Sequence, residues 1–159
     1  MFSKLKKKRF VTLALVPFVA LMFSFFSTNI LANGMTIVGN WKTVSDVTNK
    51  VASVVKIWKY KNEYFGRVVK IYKQGGNLPT DRCTKCGGTY KNKPIQGMTF
   101  LFNMKKDSDH FYTGGKILDP KSGSLYKCNI TQLSKTKLEV RGYIGFSLLG
   151  RTQYWYAAK

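Results

Sequence analysis

From about residue 37 onward, apolar and polar side chains alternate with a period of two, the period of a strand rather than of a helix. Tyr126, Cys128 and Ile130 alternate with Lys127, Asn129 and Thr131, and Leu138, Val140 and Ile144 alternate with Lys137, Glu139 and Arg141. Strands of that kind bury one face and wet the other. No window of about a dozen residues carries a helical stripe, and β-branched and aromatic residues dominate the ordered runs. The pattern predicts strands over 37–44, 53–60, 64–72, 98–104, 110–117, 124–133, 137–144 and 151–157. Alternation is poorest in 53–60, where Lys56 and Trp58 share parity.

The connectors carry turn chemistry: Lys61-Asn62-Glu63, Lys105 to Asp109, Asp119-Pro120-Lys121-Ser122-Gly123 and Ser134-Lys135-Thr136. About eight antiparallel strands joined by short turns predict an all-β fold, a closed up-and-down barrel, because closure removes exposed strand edges. A barrel of that size is either filled by its own side chains or holds one small ligand. Residues 73–97 are the long connection; they are rich in Gly, Lys, Asn and Pro and hold Cys83 and Cys86. Gly114-Gly115 inside a strand marks a bend or bulge.

The first 32 residues follow another pattern. Lys4, Lys6, Lys7, Lys8 and Arg9 precede an apolar run from Phe10 to Phe26, and small and polar residues lead to Leu31-Ala32. That is the layout of a signal peptide cut after Ala32, which predicts export, with the periplasm as destination; an uncleaved membrane anchor is the alternative. The expected domain is then residues 33–159, a normal size for one core.

The chain has 27 Lys+Arg against 7 Asp+Glu, and five of the basic residues lie in the leader, so residues 33–159 keep 22 against 7, a net +15. Such a field attracts anionic surfaces, which for an exported protein are envelope components rather than nucleic acid. The lysines are dispersed at alternate positions, as expected of a solvated strand face.

Gly39-Asn40-Trp41, Gly66-Arg67-Val68-Val69, Cys83-x-x-Cys86-x-Gly88, Lys93-Pro94-Ile95-x-Gly97-Met98, Gly114-Gly115-x-Ile117-x-Asp119-Pro120, Tyr126-x-Cys128, Val140 to Gly145 and Gly150-Arg151-Thr152-Gln153-x-Trp155 occur in this order. Together they resemble the exported bacterial family called domain of unknown function 2147, over essentially all of residues 37–157. The resemblance implies a lipocalin-like barrel in the envelope of a Gram-negative bacterium, and it carries over no catalytic residue. Gly-x-Trp is similar to the lipocalin signature. In those barrels the tryptophan closes one end under an arginine of the last strand, which implies a Trp41–Arg151 pair with a cation–π contact.

Three cysteines leave three readings open. A disulfide from Cys128 to Cys83 or Cys86 would close a loop of 42–45 residues. By chain entropy such a bridge stabilises by roughly 4 kcal/mol. It is the preferred reading and leaves one thiol over. A zinc site would recruit Cys83, Cys86, Cys128 and His110, the only histidine. A thiol redox pair at Cys83-x-x-Cys86 wants a helix N-terminus, which an all-β chain does not offer.

No triad, phosphate loop or acid–base pair stands out, and Asp107, Asp109 and Asp119 read as turn residues. The expectation is a non-enzyme without a cofactor. Gly145-Phe146-Ser147-Leu148-Leu149-Gly150 is apolar for a turn; it plugs the barrel end beside Trp41, or it is a hydrophobic tip at a ligand mouth or membrane surface. The first functional reading is a binding module for a small apolar or amphipathic ligand. The others are a solid barrel that binds an envelope protein, and a thiol or zinc site.

Overall fold

The computed structural model describes residues 34–72 and 81–159. By internal contacts the chain divides into Met1–Ala32 and Asn33–Lys159, and the described residues all belong to the second unit. The signal-peptide reading lies outside the described residues.

Eight strands follow in order: β1 (Gly39–Val44), β2 (Val51–Tyr60), β3 (Glu63–Ile71), β4 (Thr99–Lys106), β5 (Phe111–Asp119), β6 (Ser124–Ser134), β7 (Lys137–Tyr143) and β8 (Gly150–Ala157). Each pairs antiparallel with the next, and β8 returns to β1, so the predicted up-and-down barrel is the observed fold. The poor alternation of 53–60 has a simple cause. Val55 and Ile57 are buried inside, while Trp58 faces out, stacked 5.8 Å from the Phe65 ring and 5.7 Å below the Arg67 guanidinium. An outward tryptophan covered by its cross-strand neighbours defeats an apolar-in, polar-out rule.

Bulges bend the wall where the glycines predicted it. The β5–β6 register shifts between Tyr112 and Gly115, and Gly114 sits at φ +73°. Opposite it, Asn103 of β4 also has a positive φ, 52°. Gly115 faces the side chain of Met104 and the carbonyl oxygen of Phe102 so closely that no Cβ fits there.

One end of the barrel is closed. Residues 34–38 cross it: Ile37 is fully buried, its carbonyl accepts the Trp41 indole N–H at 2.8 Å, and the Gln132 amide donates to the Thr36 carbonyl at 3.1 Å. β1 and β6 are thus tied across the opening by one short segment. Above that plug Tyr64 and Tyr112 meet edge to face at 4.9 Å, amid Ile57, Met104, Ile130 and Leu138. At the waist Phe100 of β4 reaches Trp155 of β8, with ring centroids 5.9 Å apart. In an eight-strand ring these strands stand opposite each other, so this contact spans the barrel.

Candidate functional site

Above the Phe100–Trp155 contact the inward positions change character. Parity and register put Thr43, Ser53, Ile117, Tyr126, Gly142, Arg151 and Gln153 on the inner wall of the other half, and none of them is fully buried. Thr43 and Ser53 share a hydrogen bond of 2.7 Å. A Cβ at Gly142 would stand in ordinary contact with Ile117 and Tyr126, so a methyl group fits there and a larger side chain would crowd both. At the rim Arg151 forms an ion pair with Asp46, and the Gln153 amide donates to the same carboxylate at 3.2 Å. Polar and small side chains around the mouth and aromatic rings at the floor make this half the candidate site.

The implied Trp41–Arg151 contact does not form. Trp41 pairs in register with Ala157, at the closed end, whereas Arg151 pairs with Gly142 near the mouth. Arg151 and Ala157 are six residue steps apart on β8, about 20 Å at the usual rise. The backbone carbonyl of Ile37 takes the partner role at Trp41 instead.

The cysteines also pair differently from the preferred reading. Cys83 bonds to Cys86, with Cα atoms 5.3 Å apart, and Cys128 remains a buried free thiol. The reason is the sheet itself. Cys128 points into the barrel, whereas the cysteine loop lies on the outer wall, where Tyr90 meets Phe102 at 6.0 Å and Cys83 Sγ stands 3.4 Å from the Pro120 carbonyl. The wall of the barrel separates Cys128 from the pair. His110 is exposed in the β4–β5 turn at the closed end, so the residues of the zinc set are dispersed over three places. Among the described residues no cluster of three metal-ligating side chains occurs.

Burial pushes the Cys128 thiol up to about 12. Burial, and then the neighbouring Tyr64, also raises the Tyr112 phenol. The unfolded chain therefore loses the Cys128 proton near its ordinary value of 9.0, while the folded chain keeps it up to about 12. Stability should fall as pH rises through that window, at up to about 1.4 kcal/mol per pH unit. Urea unfolding at stepped pH checks this. Cys128→Ala should flatten the slope between its two limits, leaving the part due to Tyr112 at higher pH, and a slope unchanged by the substitution would refute the assignment.

Sequence reasoning missed a cleft of about 390 Å³ on the outer wall, lined by Cys86, Tyr90, Phe102, Lys116, Leu118 and Leu125 among others. Leu118 is buried there although it faces outward. Strand alternation cannot foresee this, because a loop far along the chain supplies the cover.

The matching family model is described as "Uncharacterized protein conserved in bacteria (DUF2147)" and covers residues 39–156. Comparison with curated proteins returns no match. Among solved structures, the chain is similar to one described as "Protein HP1028 from the human pathogen Helicobacter pylori belongs to the lipocalin family". The two share 19% identity over 79% of this chain and 84% of that one, with a TM-score of 0.67. At that identity the likeness speaks for the fold. With a barrel of the lipocalin kind and a family model spanning all eight strands, the chain belongs to the DUF2147 family of bacterial proteins.

Proposed function

We propose that this chain is an exported, non-catalytic binding module that takes a small amphipathic molecule into the open half of its barrel. The observation that carries the reading is the layering of inward side chains, with aromatic rings at Phe100 and Trp155 below a partly exposed ring of Thr43, Ser53, Tyr126, Gln153 and Arg151. An apolar portion would lie against Ile117, Tyr126 and the aromatic floor, and a polar end would meet Gln153 and Arg151. Mostly apolar hollows with a few convergent polar groups are the usual small-molecule sites. Export to the periplasm belongs to the same proposal. It rests on the basic and apolar runs of residues 4–26, and a Cys83–Cys86 bond fits an oxidising compartment.

The test is native mass spectrometry of the protein recovered from the envelope of an expressing bacterium, followed by lipid extraction. One amphipathic molecule per chain is expected. Gly142→Leu, which would crowd the inner wall beside Ile117 and Tyr126, should abolish it without loss of the strand circular-dichroism signal. A barrel that is empty from every preparation and refuses added lipids and detergents would overturn the reading.

A second reading has its own support. The Phe100–Trp155 contact fills the waist, and the outer cleft is of ligand size. A solid barrel would then bind an amphipathic segment of another envelope protein between the cysteine loop and the wall. Lys116→Glu should weaken such binding while Gly142→Leu leaves it intact, the reverse of the first case.

A further inference from the structure

The β7–β8 loop does not plug the barrel beside Trp41; it projects from the opposite end. Ile144, Phe146, Leu148 and Leu149 are 66, 80, 88 and 74% exposed. Four large apolar side chains on one six-residue turn are unusual for a solvated surface. The turn is also built to present them. Arg141 donates from Nε to the Ser147 carbonyl at 2.6 Å, from Nη2 to the Leu148 carbonyl at 3.1 Å and from Nη1 to Thr152 Oγ1 at 2.7 Å. The Leu149 N–H closes the turn on the Phe146 carbonyl at 3.0 Å, and Gly145 supplies the positive φ of 66°. With its carbonyls held by one guanidinium, the loop has its apolar side chains left to face outward.

The adjoining β1–β2 loop extends the patch. Val47 is 85% exposed, and its neighbour Asp46 is bound by Arg151 and Gln153 at the foot of the β7–β8 loop. The surrounding charge is positive. Lys50 follows Val47, and Lys127 pairs in register with Tyr143 at the base of the turn. Of the carboxylates in the β1–β2 and β5–β6 turns at this end, Asp46 is paired with Arg151, and Asp119 accepts the Lys121 N–H at 2.9 Å and the Ser122 hydroxyl at 3.0 Å. Glu63, Asp107 and Asp109 lie at the other end of the barrel.

We propose that this tip docks on the surface of an anionic lipid bilayer, with Phe146 and Leu148 entering the headgroup region and the basic collar resting on lipid phosphates. Apolar side chains flanked by Lys and Arg suit that boundary, where burial and charge attraction act together. The net charge of +15 on residues 33–159 favours an anionic sheet over an apolar groove on a protein. The inference goes beyond ligand binding and holds whether or not the barrel is occupied. An occupied barrel would have its mouth facing the bilayer.

The test uses the full chain with an environment-sensitive dye on Leu148→Cys, the native thiol Cys128 being buried and so spared. Lys135→Cys, in the β6–β7 turn at the closed end, carries the same dye as control. The local signal decides, because residues 1–32 can themselves bring the chain to a membrane. Vesicles of phosphatidylglycerol and phosphatidylethanolamine should raise and blue-shift the Leu148→Cys signal at about 0.1 M salt, and about 0.5 M salt should weaken it. The Lys135→Cys signal should stay unchanged. Adding Phe146→Ser should demand roughly tenfold more lipid for the same response. Equal signals from the two positions, or an equal response on phosphatidylcholine alone, would overturn the proposal. So would a Leu148→Cys dye already shielded without lipid in a sedimenting dimer, which would make a second copy the occupant.

Discussion

Trp155→Ala should lower folding stability by about 3–5 kcal/mol, the range for removing a large buried aromatic side chain. Trp155 is almost wholly buried in the hydrophobic core, and its ring meets Phe100 from the opposite wall. Alanine would leave a void where opposite walls of the barrel touch, and the strands on either side are held by ladders that cannot close inward without breaking register. A domain of this size has about 5–15 kcal/mol in total, so the variant should be largely unfolded at moderate urea. Trp155→Phe separates packing from polarity. The indole N–H is buried without a hydrogen-bond partner among the described residues. Phenylalanine removes that unsatisfied donor and keeps most of the ring, so its cost should stay under about 1.5 kcal/mol. Urea midpoints of the two variants beside the parent check both expectations, and similar losses would show that the ring is not what holds the waist.

Gly123→Ala should be the most damaging small substitution, at about 2–5 kcal/mol. Gly123 sits at φ +74°, where a Cβ is strained, and that Cβ would run into the carbonyl of Lys85 and lie 2.9 Å from the Cys86 N. These are backbone atoms and cannot rotate away. The cysteine loop would have to lift from the β5–β6 turn, exposing Leu118 and Tyr90. Gly97→Ala is the matched control, with φ +87° and nothing within 4 Å of its Cβ, so it carries strain without collision. Its cost should be about 1 kcal/mol. Amide exchange and protease nicking across residues 81–95 should rise sharply in Gly123→Ala and little in Gly97→Ala. Equal effects would mean that the loop is not seated on Gly123.

The strands were legible because their physics is local. Alternation in β6 and β7 is set by each residue and its neighbours two along, and Tyr126, Cys128, Leu138 and Val140 face as the pattern requires. Gly114 likewise announced its bulge through its own backbone freedom. Arg151 was not legible, since its distance from Trp41 depends on register accumulated across the ring and on where β8 begins. Cys128 faces inward as alternation says, but nothing local states on which side of the wall the cysteine loop lies. The apolar Gly145–Gly150 turn was seen as odd from composition alone. Its outward display rests on Arg141, whose bonds to Ser147 and Leu148 form only once the turn exists.

The meeting of β1 with β8 has a consequence for how the chain comes to be folded. The seam is only three register pairs long, Trp41 with Ala157, Lys42 with Tyr156 and Thr43 with Trp155. These partners lie at opposite ends of the domain, so no local event can form them, and the entropy of closing so large a loop must be met before they contribute. Until β8 has arrived, β1 is an open edge and the seven-strand precursor an unclosed sheet. A chain still being synthesised lacks β8, so β1 stays an open edge until the last strand has been made.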